Sequence, residues 1–124
     1  MTLGDFLKRE CANGAPWNCS TMAADWAVEC GHPDFAARWR DITDPAACDT
    51  VPLGEGGLVN LWAQGIGNAL PVVAALEPGD IAVVSAFGIE AGAIWTGSRW
   101  AIRAGRGVHF LGVDGVSVVR AWRP

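Results

Sequence analysis

Glu77-Pro78-Gly79-Asp80-Ile81-Ala82-Val83-Val84-Ser85 divides the chain in two. Pro-Gly-Asp is turn chemistry, because proline presets φ, glycine accepts a positive φ and aspartate can bond to nearby backbone. The β-branched run that follows reads as a strand from Ile81 to Ser85. Downstream, Ala91 to Trp95, Trp100 to Arg103, Val108 to Leu111 and Val116 to Ala121 read as further strands. Gly97-Ser98 and Asp114-Gly115 sit at hairpin positions between them. The segment from 77 to 124 is therefore expected to be a β-meander or small curled sheet.

Upstream, the period changes from two to that of a helix. Thr2 followed by Asp5 marks a helix start, and Leu3, Phe6, Leu7 and Cys11 recur at helical spacing until Asn13-Gly14. From Cys19 to Cys30, the residues Cys19, Ala23, Trp26 and Cys30 form one stripe with Asp25 and Glu29 off it, and Gly31 supplies the stop. Pro33 and Asp44-Pro45 suit the first turns of two short helices, and Leu58 to Gln64 suits another between glycine-rich breaks. Helices in 1–76 followed by strands in 77–124 predict a single segregated α+β domain spanning 1–124, helices packed on an antiparallel sheet.

Composition narrows the function classes. With 124 residues, 51% apolar and 18% charged, the chain matches one folded domain. A net charge of −4 with nine scattered Lys and Arg argues against nucleic acid as a partner. Apolar stretches such as Ile81 to Val84 and the run around Pro71 to Leu76 are too short for a bilayer span, so membrane insertion is not expected. The start MTLGDFLKRE lacks a basic and then apolar leader, so synthesis in the cytosol is expected. Cys11, Cys19, Cys30 and Cys48 contain no CxxC pair and are expected as free thiols. Cys19 and Cys30, eleven residues apart on one helix, would lie about 16 Å apart, beyond bridging distance. His32 and His109 are not spaced for zinc, so neither a metal nor another cofactor is expected.

Cys19 carries the chemical interest, because a thiol opening a helix has its thiolate stabilised by the positive end of the dipole. The alternative is that Cys19 is only the first apolar residue of a buried stripe. Trp17-Asn18-Cys19-Ser20 at a helix start, Gly79-Asp80-Ile81-Ala82-Val83-Val84 as a strand and Ala91-Gly92-Ala93-Ile94-Trp95-Thr96-Gly97 resemble the papain-like cell-wall cysteine peptidases of the NlpC type. They are closer to the short phage and prophage branch of that superfamily, as is the ending Val118-Val119-Arg120-Ala121-Trp122-Arg123.

The resemblance implies a papain-like fold with Cys19 at the nucleophile position. The aspartate that precedes the nucleophile in active members falls on Asn18, the catalytic histidine on Glu90 and its polar partner on Arg103. A cysteine peptidase needs an imidazole to hold the thiolate and to protonate the leaving amine. Glu90 would be ionised and repel a thiolate, and Arg103 keeps its proton. The two are expected to pair across neighbouring strands, or else to be solvated strand residues. His109 is the fallback base if the alignment slips by one strand, against a purely structural role. His32 follows the helix stop Gly31 and reads as a partner of the helix dipole.

Among the seven tryptophans most suit core packing, while Trp17 and Trp100 are the candidates for binding a partner or walling a groove. The resemblance thus implies a phage or prophage tail-tip structural or assembly protein with a degenerate peptidase site. It would be located in the virion tail after synthesis in the bacterial cytoplasm. Other phage tail proteins are its expected partners, with peptidoglycan as a second candidate. The alternatives are an active cysteine endopeptidase cutting peptidoglycan peptides and a host-encoded protein-binding domain.

Overall fold

The computed structural model describes residues 1–13, 19–40, 56–104 and 107–124. The helix expected at Asp44-Pro45, and with it Trp17, Asn18 and Cys48, lies outside the described residues. Helix α1 spans Leu3–Ala12, and its first turn closes as expected, the Thr2 hydroxyl accepting from the Asp5 N–H at 3.1 Å. Its inner face carries Phe6, Leu7 and Glu10; Cys11 is exposed. Cys11 is therefore not part of the apolar stripe, and a carboxylate takes the inner position instead.

Helix α2 spans Cys19–Glu29 and stops at Gly31, whose φ of 95° suits only glycine at low cost. Met22, Ala23, Ala24, Trp26 and Ala27 are all buried, so α2 is covered around most of its circumference rather than along one stripe. Cys30 falls just past the helix end and is exposed, which corrects its expected place on that stripe. Pro33 introduces not a regular helix but a turn in which Asp34 accepts from the Ala36 N–H, followed by the 3₁₀ turn Ala37–Trp39. Arg40 then bridges Asp34 to Asp25 of α2, the latter at 2.7 Å. Helix α3, Leu58–Ile66, lies between Gly57 and Gly67.

Among the described residues six strands follow: β1 Val72–Val73, β2 Ile81–Ala86, β3 Ile89–Trp95, β4 Trp100–Ala104, β5 Gly107–Leu111 and β6 Val116–Trp122. All pairs are antiparallel, in the order β1-β6-β2-β3-β4-β5. The fold is thus α+β. A simple meander is not formed: β6 returns to the far side of β2, and β1, a strand too short to show a period, pairs with it from within the nominally helical segment.

Chain length forces this sheet to curl. Leu111 is level with Trp95, and Val116 with Ile89. In a flat sheet the ends of β5 and β6 would stand four strand spacings apart, about 19 Å sideways, with an offset along the strands besides. Five residue steps reach at most about 18 Å. Curling also gives the sheet two cores. Ile81, Val83, Ile94, Ala101 and Trp122 join the helices in one cluster, while Ala82, Val84, Ala93, Trp100, Ile102 and Ala121 form another on the opposite face.

Candidate functional site

Helix α2 lies across β3 and β4, and two tryptophan indoles tie it down. Trp26 Nε1 donates to the Gly79 carbonyl at 2.8 Å, and Trp62 Nε1 of α3 donates to Ser20 Oγ at 2.8 Å. The first bond fixes the polarity of α2. Gly79 is bonded to Trp95 at the end of β3, so Cys19, seven residues before Trp26 and about 10 Å back along the axis, is directed toward the start of β3. There the strand carries Glu90 and Gly92 on the helix-facing side, in register with Ser85 and Val83. The start of α2, the start of β3 and the end of β4 therefore share one end of the helix-on-sheet layer.

The side chains at that end do not form the expected pair. Among the described residues, strands β3 and β4 are in register at Ile94↔Ala101 and Trp95↔Trp100, beside their turn. Arg103, farther along β4, is engaged by the end of α1 and not by Glu90. It is buried, donates to the carbonyls of Glu10 at 3.2 Å and Asn13 at 3.1 Å, and lies 3.7 Å from the Glu10 carboxylate. A guanidinium there gives the Glu10 carbonyl, which also accepts from the Asn13 N–H, a second donor, and its charge suits the negative end of the α1 dipole. The cross-strand ion pair between Glu90 and Arg103 is thus replaced by a buried Arg103–Glu10 pair.

Glu90 is exposed on the sheet, and its Oε1 comes within 3.8 Å of where a Cβ would stand on Gly57. Gly57 is the N-cap of α3 and offers no side-chain acceptor. The carboxylate accordingly lies beside the N-terminus of α3.

Neither histidine is close to the start of α2. His109 is in register with Ile102, a residue of the second core, and it is exposed on the face opposite the helices. Strand alternation thus puts it on the side of the sheet away from α2. His32 bonds to the Ala27 carbonyl just past the far end of α2, a helix length of about 16 Å from Cys19. Trp100 is only 2% exposed and packs on Trp95 at 5.0 Å between ring centroids, so it is a core residue and not a surface for partners.

Asp80 was legible only as part of a turn. In the fold it is buried, accepting from the Glu77 N–H at 2.7 Å and from Arg123 through both oxygens, at 3.0 and 2.9 Å. Arg123 also donates to the Ala75 carbonyl at 2.8 Å. This bidentate clamp ties the entry of β2 to the end of β6, and the carboxylate raises the guanidinium pKa. Cys30 is not an activated thiol: partial burial and then the Glu29 carboxylate push its pKa up. Among the described residues no group of three or more His, Cys, Asp or Glu could hold a metal, and no helix is long and apolar enough to cross a membrane.

Residues 2–124 match a family described as "Domain of unknown function (DUF6950)". The chain belongs to this family. No curated protein and no solved structure matches the DUF6950 domain.

Proposed function

We propose that this DUF6950 domain is a phage or prophage tail-tip structural protein, built on a degenerate NlpC-type peptidase fold in which Cys19 no longer acts as a nucleophile. The observation that carries the loss of catalysis is the position of the imidazoles. The chain has two histidines; one lies on the wrong face of the sheet and the other beyond the far end of α2. Thiolate formation and protonation of a leaving amine both need such a group within hydrogen-bond reach. The position that the resemblance assigns to the histidine's partner supports the same reading, since Arg103 is committed to the end of α1. The tail-tip assignment rests on the resemblance to the phage and prophage branch.

Release of soluble muropeptides from purified sacculi tests the catalytic part. No release is expected from the wild type or from Cys19→Ser. Release that is lost in Cys19→Ser would overturn this reading, and loss in His109→Ala as well would establish the peptidase alternative. Detection of the chain at the tail tip of purified particles by labelled antibody tests the rest; its absence from particles would sink the assignment.

A further inference from the structure

The turn joining β2 to β3 is Phe87-Gly88, with φ of 53° and 76°. Glycine and asparagine take such a conformation readily, whereas a phenylalanine there is strained. Phe87 is 87% exposed and Ile89 beside it 66% exposed, so the ring repays none of that strain through burial in its own chain. The result is an apolar prong at the tip of the β2–β3 hairpin.

A matching socket lies elsewhere on the surface. Pro33, Phe35, Gly65, Ile66, Ala69 and Leu70 line an open apolar groove of about 170 Å³. An apolar cavity of about 150 Å³ accommodates a benzene ring, so the groove is sized for one phenyl group. Its floor is closed by direct contact of α3 with the turn after Pro33: a Cβ on Gly65 would come within 2.4 Å of the Phe35 carbonyl oxygen.

Prong and socket lie at opposite ends of α3. The start of α3 at Gly57 is beside Glu90, near the hairpin tip, whereas the groove is at the other end of α3, beyond Ile66. Nine residues of helix separate the two ends by about 13 Å. The chain therefore cannot fill its own groove with its own prong, but a second copy can. Charge agrees with that pairing. The prong side carries Glu90; the socket side carries Arg38, whose guanidinium stands 5.9 Å from the Trp39 ring that abuts Gly65. Neither has an ion-pair partner among the described residues.

We propose that copies of this chain associate head to tail, the Phe87 ring of one entering the Pro33–Leu70 groove of the next. Such a contact is heterologous, so it propagates into a ring or a filament rather than stopping at a two-fold dimer. It goes beyond the functional reading above and stands whatever Cys19 does.

Sedimentation equilibrium of the full chain, from about 10 µM to about 1 mM, provides the test. The wild type should gain mass with concentration past the dimer. Phe87→Asn, which suits the turn and keeps the fold, should weaken association by about tenfold or more. Ala69→Trp, which fills the groove from an exposed position, should do the same; Ala69→Glu is the second variant if the tryptophan disturbs folding. Mixed together, Phe87→Asn with its intact groove and Ala69→Trp with its intact prong should form a one-to-one dimer that grows no further. A wild type that stays monomeric throughout, a Phe87→Asn variant that associates undiminished, or a mixture that fails to pair would each overturn the proposal.

Discussion

Replacing Arg103 with leucine should be among the most damaging single changes in this chain. The side chain is 4% exposed and the Glu10 carboxylate 6%, so leucine leaves a buried charge without its partner. Breaking such a pair from one side costs about 3–5 kcal/mol. The bonds to the Glu10 and Asn13 carbonyls support that figure, since each charged hydrogen bond contributes about 1.5–3 kcal/mol. Against a typical stability of about 5–15 kcal/mol, the loss is a large fraction of the total. The double variant Glu10→Leu with Arg103→Leu should recover about 1–3 kcal/mol relative to Arg103→Leu, because the orphaned carboxylate is gone while the guanidinium's bonds to the two carbonyls stay lost. Urea melts of wild type, both single variants and the double variant give the coupling directly, provided the m-values agree. A cost under about 1 kcal/mol for Arg103→Leu, the range of an exposed pair, would refute the buried arrangement. So would a double variant no more stable than the single one.

Trp26→Ala, which removes a buried ring and its bond to Gly79, should lower stability by about 3–5 kcal/mol in the same melts. Gly65→Ala should cost about 1–3 kcal/mol, because its Cβ is forced onto the Phe35 carbonyl. Phe87→Gly should do the reverse, raising the urea midpoint by the equivalent of about 1 kcal/mol as the strained turn relaxes. Asp34 accepts from Arg40, and then from the Ala36 N–H, which holds its pKa below the usual carboxylate range. Its stabilising contribution is therefore complete above the unfolded value near pH 4 and is lost as pH falls through the lower folded value. Asp34→Asn should flatten the stability profile in that acid window, and an unchanged slope would contradict the pairing.

Local pattern determined much of this protein. Thr2 with Asp5, Gly31 after a helical period and the Pro78-Gly79-Asp80 turn act through residues within a few positions of one another, so α1, α2, α3 and strands β2 to β6 were all legible from the chain. Cys19 at a helix start was legible for the same reason. What the tertiary structure decided is which distant residues meet. Arg103 meets the end of α1 instead of Glu90, and no local spacing encodes a contact so distant along the chain. The burial of Glu10 was hinted at by its distance of four and three from Phe6 and Leu7, but only Arg103, about ninety positions away, makes a carboxylate tolerable there. His109 lies on the face away from the helices because alternation along β5 aims it there; its parity could be read, but which face the helices cover is settled only when the sheet curls. Sequence specifies a period, and tertiary packing specifies the direction in which that period points.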